Sequence, residues 1–126
     1  MKTLLNHVAL QYTNRKKAKI FFTDILGIPK IRSFTVSDDL SEKIFGIEKT
    51  VDVDVFDNGN VRFEIFITDH KSKSFFDHTC IEIEDKEKFI NRCKQNGLKP
   101  YTIPKGEKEL LFVRDFSDNL YEVKEK

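Results

Sequence analysis

Residues 7–14 read HVALQYTN and residues 78–85 read HTCIEIED. In each, a histidine opens a short stretch of alternating character, and a side chain suited to start a helix, Asn14 or Asp85, follows seven residues later. Alternation of this kind marks a half-buried strand, and Asn or Asp ahead of an amphipathic run marks a helix N-terminus. After Asn14, the residues Ala18, Phe21, Phe22 and Ile25 recur at helical spacing and Gly27 follows; after Asp85 come Phe89, Cys93 and then Gly97. Helices are therefore predicted over about 14–26 and 85–96.

A second pair of stretches repeats in the same way. Asp57 in the DNGN turn stands seven residues before Glu64, and Asp115 in the DFSDN turn stands seven residues before Glu122. Strands are predicted at about 5–12, 30–36, 50–57, 60–68, 77–84, 100–104, 109–115 and 119–124. Residues 38–46, DDLSEKIFG, add a short helical turn. The element order is strand-helix-strand-strand-strand, twice, which is the signature of an internal duplication. The expectation is one α+β domain over residues 1–126. Module 1 spans about 1–68 and module 2 about 75–126, and the polar stretch Asp69–Ser74 forms the joint.

Side chains alternate faces along a strand. Read by polarity, one face carries Val8, Leu10, Tyr12; Val51, Val53, Val55; Phe63, Ile65, Ile67; Ile81, Ile83; Tyr121 and Val123, and is expected to pack on the helices. The opposite face then carries His7, Ala9, Gln11; Asp52, Asp54, Phe56; Arg62, Glu64, Phe66; His78, Cys80, Glu82; Glu122 and Lys124. Two imidazoles and two carboxylates at one parity, His7, Glu64, His78 and Glu122, suit a divalent metal such as nickel, zinc, manganese or iron. The plainer alternative is a solvated sheet face on which these residues meet water, as Asp52 and Asp54 would.

The bulk composition narrows the classes. The chain has 126 residues, 22 Lys and Arg against 21 Asp and Glu, and a formal net charge of +1. This balance gives no electrostatic drive toward nucleic acid or an anionic membrane. No apolar run approaches the roughly 20 residues of a spanning helix, and the N-terminus has neither the apolar core nor the cleavage site of a signal peptide. A cytoplasmic protein is expected. Cys80 and Cys93 lack metal-site spacing and are expected to stay reduced.

Residues 7–28, HVALQYTNRKKAKIFFTDILGI, together with residues 112–123, FVRDFSDNLYEV, resemble the opening and closing segments of the vicinal oxygen chelate superfamily. This superfamily includes glyoxalase I, extradiol dioxygenases and the bleomycin- and fosfomycin-resistance proteins. The resemblance spans the chain. It departs at the closing turn, where Phe116 and Asp118 replace the usual Pro and Gly.

The resemblance implies two βαβββ modules forming a cupped mixed sheet with helices on its outer face. It also implies one divalent metal ion per site, held by His7, Glu64, His78 and Glu122, and a homodimer. The His-Glu-His-Glu set is most similar to glyoxalase I. A metal-dependent lyase or isomerase is then expected, acting on a small 2-oxo or hydroxy-carbonyl substrate, with Glu122 or Glu64 as the catalytic proton carrier. Arg62, Arg114 and Lys124 are the expected substrate-binding cations. Gln11 occupies the position at which glyoxalase I has an Arg for the glutathione carboxylate, and Thr68 stands where it has an Asn, so the thiol pocket departs from that enzyme. The alternative from a different class is a non-catalytic protein that sequesters a small molecule, as the bleomycin-resistance members do.

Overall fold

The structure is a computed structural model that describes residues 1–73 and 75–126. It contains two compact units, Met1–His70 and Lys71–Lys126. The joint expected over 69–74 includes Ser74, which lies outside the described residues.

In the first unit, β1 (Val8–Tyr12) leads into α1 (Arg15–Lys19), which widens into a π-helical turn (Ile20–Ile25). Then follow β2 (Lys30–Val36), α2 (Asp38–Phe45), β3 (Val51–Asp57) and β4 (Arg62–Ile67). The sheet order is β1-β4-β3-β2, with β1 and β4 parallel and the other pairs antiparallel. The second unit runs β5 (Thr79–Ile83), α3 (Lys86–Gln95), β6 (Tyr101–Lys105), β7 (Lys108–Arg114) and β8 (Leu120–Glu125). Its order is β5-β8-β7-β6, again with one parallel pair, β5 and β8. Each unit is thus an α+β module in which a helix carries the chain from one sheet edge to the other before three strands return.

The helix signals act as the sequence predicts. The Asn14 side chain accepts from the Lys17 N–H at 3.1 Å and Asp85 from the Lys88 N–H at 3.0 Å, each satisfying an N–H that the helix start leaves without a backbone partner. Ala18, Phe21, Phe22 and Ile25 are buried, as are Phe89 and Cys93. Phe22 packs against Phe56 and Phe63, with ring centroids 5.1 Å apart in both pairs. Those contacts fix the first unit's core between α1 and one face of its sheet. Residues 38–45 form a full helix, started by Ser37, whose hydroxyl accepts from the Leu40 N–H, and ended by Gly46 at φ 72°, a left-handed conformation glycine adopts without strain.

The strand parity needs one correction. In the register, Val55 stands opposite Glu64 and Val53 opposite Phe66, whereas Asp54 stands opposite Ile65 and Phe56 opposite Phe63. So Val51, Val53 and Val55 share the Glu64 face, and Asp52, Asp54 and Phe56 share the α1 face, the reverse of the polarity-based assignment. Asp54 is fully buried. Its carboxylate accepts from Arg15 Nε at 2.9 Å and Ser33 Oγ at 2.7 Å, and Lys30 Nζ lies 3.4 Å away. A buried charge is tolerated when it is paired and hydrogen-bonded, and these partners make the inward Asp54 possible.

Burial acts to raise the Asp54 carboxyl, and the Ser33 hydroxyl, the Arg15 guanidinium and the Lys30 ammonium together outweigh it, so the group titrates below the usual carboxylate range. A carboxyl depressed in the folded state contributes stability above its unfolded value of about 4 and loses it as pH falls through the folded value. Asp54→Asn should therefore cost about 1.5–3 kcal/mol at pH 7, the range for hydrogen bonds to charged groups. Urea unfolding at pH 7 and pH 3 should show that difference shrinking at the lower pH.

Candidate functional site

Each unit carries one His–Glu pair at the same place in its sheet. Ala9 of β1 is the in-register parallel partner of Glu64 of β4, and Cys80 of β5 is the partner of Glu122 of β8. His7 and His78 each stand two residues before those partners, so each imidazole shares a sheet face with its unit's glutamate. In the first unit His7 Nδ1 lies 3.5 Å from Glu64 Oε2; in the second His78 Nε2 lies 3.9 Å from Glu122 Oε1. The carboxylates are shielded, at 14% and 19% side-chain exposure. Within either unit, no group of three or more His, Cys, Asp and Glu side chains gathers among the described residues.

The ring nitrogens bear on what these pairs can hold. His78 Nδ1 lies 2.9 Å from the Phe76 carbonyl oxygen, which can only accept, so Nδ1 carries the proton and the neutral ring's lone pair is on Nε2, the atom facing Glu122. An outer N–H given to a carbonyl is the arrangement that orients metal-ligating histidines. His7 Nδ1 is 2.8 Å from the Asn6 side-chain oxygen. An imidazole beside a shielded carboxylate in each unit supplies the two donor types that a divalent-metal set of this kind uses.

The two turns that deliver the glutamates are built alike. Asp57 Oδ1 accepts from the Gly59 N–H at 2.7 Å, and Asp115 Oδ1 from the Ser117 N–H at 2.9 Å, each two residues on. Asp115 also accepts from the Asn119 N–H at 3.0 Å and from Tyr121 Oη at 2.7 Å. This network keeps the turn without the Pro and Gly of the resembling segment, with Asp118 at φ 67°.

The expected substrate cations are placed differently. Arg62 Nε donates to Asp57 Oδ2 at 2.8 Å, and Arg114 Nη1 donates to the Asp118 carbonyl at 3.0 Å, so both brace the turns of their own units. Lys124 lies one alternation beyond Glu122, in register with Glu82, and Gln11 faces the same way as Glu64, in register with Phe66.

The corrected register adds a residue that polarity reading misses. Arg32 pairs with Val55, which pairs with Glu64, so Arg32 shares the Glu64 face two strands away; its guanidinium lies 5.1 Å from the Phe34 ring centroid. In the second unit the matching row reads Cys80, Glu122, Phe112, Tyr101, with the Tyr101 and Phe112 rings stacked at 5.7 Å. Cys80 is exposed and Cys93 buried, and both are free thiols. Burial pushes the Cys93 thiol up to about 12, which makes it inert at neutral pH.

On the Glu64 side of the first sheet there is also a cavity of about 550 Å³, bounded by Ala9, Gln11 and Phe66 of the sheet and by Ser41 and Phe45 of α2. The Phe45 and Phe66 rings meet edge to face at 5.6 Å. Thus α1 covers one face of this sheet and α2 reaches the other. The sequence indicated only a short helical turn over 38–46, and nothing in the chain's periodicity indicated that α2 roofs a cavity.

Solved structures share this architecture along the whole chain. The fosfomycin resistance protein FosX from Listeria monocytogenes superposes with a TM-score of 0.75 at 17% identity, covering 100% of this chain and 95% of that one. A mutant of that protein, complexed with Mn(II) and 1S,2S-dihydroxypropylphosphonic acid, gives 0.74 at 19% identity, covering 98% and 90%. A glyoxalase family protein from Enterococcus faecalis gives 0.71 at 20% identity, covering 95% of each chain. At these identities the likeness establishes the vicinal oxygen chelate fold. Among curated proteins, none matches the sequence. The pattern of one superfamily matches residues 4–122, nearly the full length, and the chain belongs to it: Glyoxalase/Bleomycin resistance protein/Dioxygenase.

Proposed function

We propose that this chain is a metal-dependent lyase or isomerase, in which His7, Glu64, His78 and Glu122 together hold one divalent ion. The observation that carries the reading is the repeated His–Glu pair at equivalent register in the two units. Two-ligand pairs are weak metal sites by themselves, and a four-ligand set is complete only when both halves contribute. The halves come either from one chain or from two, and a cytoplasmic homodimer is the assembly we favour. Crystals of Listeria FosX with Mn(II) support a divalent ion in this fold.

When bound, the ion supplies Lewis-acid polarisation of two neighbouring oxygens on the substrate. The protein's own part is to move the proton. Glu122 sits beside His78, whose ring is held by the Phe76 carbonyl, and it is the carboxylate we assign as general base, with Glu64 as its counterpart in the other half. Arg32 offers a cation on the Glu64 face for an anionic group of the substrate; among the described residues it forms no ion pair. A 2-oxo or hydroxy-carbonyl compound suits this layout, because the proton to be moved lies next to the polarised oxygen.

The direct test is exchange of the C–H protons of hydroxyacetone in heavy water, followed by NMR with metal-loaded protein. Exchange should occur and should fall by about 10²–10⁴-fold in Glu122→Gln, the range for a positioned acid or base. Binding with no exchange in the wild type would favour the sequestering alternative. Glutathione is a poor fit, because Gln11 and Thr68 replace the glyoxalase Arg and Asn. Turnover of the methylglyoxal–glutathione hemithioacetal should lie below the ordinary enzyme range, that is, kcat/KM under about 10⁴ M⁻¹s⁻¹.

A further inference from the structure

We propose that the cavity under α2 is the subsite for the body of the substrate, and that it selects an uncharged, largely apolar group, aromatic in shape, with one hydrogen-bonding atom. The inference rests on the proposed function for where the reacting atoms lie, but not for the binding of the body itself. The location follows from the register. Ala9 and Gln11, which line the cavity, are the strand partners of Glu64 and Phe66, so the cavity begins on the same sheet face as the His7–Glu64 pair and continues along the strands away from it.

Its chemistry follows from the walls. The edge-to-face Phe45 and Phe66 rings and Ile47 supply apolar surface, and about 550 Å³ lies within the usual size of a small-molecule site. Lys49, Asp69 and His70 also border it, and they are engaged with one another: Asp69 lies 3.4 Å from Lys49 Nζ and 2.9 Å from His70 Nδ1. The Lys49 ammonium is therefore already matched to a carboxylate, and an anionic ligand body would compete with Asp69 for it. Desolvating a charge against such walls is costly, so the neutral group is the one favoured.

A polar side chain gives the second, independent pointer. Ser41 lines the cavity and is 3% exposed, and its hydroxyl makes no hydrogen bond among the described residues. The hydroxyl opens to the cavity and is available to hydrogen-bond one ligand atom. That contact would orient a ligand that the rings can only grip.

The test uses three probes on the full chain: 2-hydroxyacetophenone, hydroxyacetone with the same head and no ring, and the 4-carboxylate of the ring compound. Dissociation constants come from NMR titration of labelled protein, with chelator and with manganese replaced by zinc as the diamagnetic ion. 2-Hydroxyacetophenone should bind at least about tenfold more tightly than either of the others, as burial of a ring without a charge requires. The amides of Ala9, Ser41 and Phe66 should shift. Ser41→Ala should weaken it about 3- to 10-fold, the size of one neutral hydrogen bond, and Ser41→Leu and Phe45→Ala, which fill the space and remove a wall, by more. Phe45 is half exposed, so its truncation guards against a variant that fails to fold.

Equal affinities for the three probes, or an affinity that survives both Ser41→Leu and Phe45→Ala, would overturn the proposal. Zinc binding without ring preference overturns it and leaves the metal reading standing. Ring preference in protein that binds no metal upholds the cavity and overturns the metal reading instead.

Discussion

Thermal stability should rise by about 10–20 °C when the matching divalent ion is added at a free concentration about a thousand times its dissociation constant. At that ratio, binding to the folded state alone is worth about 4 kcal/mol, and each kcal/mol moves the midpoint of a chain of this size by a few degrees. The gain follows from the proposed function, in which a set able to hold the ion exists only in the folded protein. His78 is already set in the right tautomer by the Phe76 carbonyl, so little is spent on orienting it. Glu64→Gln should keep the apo midpoint within about 0.5 kcal/mol of wild type, since that side chain makes no buried network, yet it should remove most of the gain. Melts of both proteins with chelator, nickel, zinc and manganese read this out. Flat midpoints across the panel would return the glutamates to ordinary residues of a wet sheet face.

The largest effect on the metal-free fold is expected at Asp115. Its carboxylate is buried and accepts from the Ser117 and Asn119 N–H groups, the Asn119 side-chain amide and the Tyr121 hydroxyl. Asp115→Ala leaves these donors buried without an acceptor, at about 1–3 kcal/mol for each that cannot reach water, so a loss of about 4 kcal/mol is expected. That is a large part of the roughly 5–15 kcal/mol by which a domain is stable.

Burial pushes the Asp115 carboxyl above its ordinary value, and the donors from Tyr121, Ser117 and Asn119 offset only part of this. A carboxyl raised in the folded state contributes most at acid pH, and its contribution declines as pH rises from about 4 through the raised value. The cost of Asp115→Ala, from urea unfolding, should be larger at pH 4 than at pH 7. This trend is opposite to that of Asp54→Asn, and the pair of profiles separates the two buried carboxylates.

The elements legible in the sequence were those with local signals. Asn14 and Asp85 announce their helices because a capping side chain reaches only three residues along the chain. The equal spacing of the His, Asp and Glu positions made the duplication readable, and in the structure His7 lies 3.5 Å from Glu64 and His78 3.9 Å from Glu122. What polarity could not convey was the orientation of β3. Its Val-Asp alternation reads as apolar inside and charged outside, yet Asp54 is inside because Arg15, Lys30 and Ser33 meet it from elements distant in sequence. For the same reason the cavity was not legible: Ser41 and Phe45 look like one polar and one apolar residue of a short helix until α2 is placed over Phe66.

The central claim is that two His–Glu halves make one metal site, and metal stoichiometry tests it most directly. Tag-free protein, stripped with chelator and reloaded by dialysis against nickel, zinc or manganese, should hold one ion for each His7-Glu64-His78-Glu122 set, and either His7→Ala or His78→Ala alone should empty it. If each single substitution instead leaves the metal content unchanged, or leaves an ion bound at the untouched pair, the two halves do not act as one site and the account is wrong.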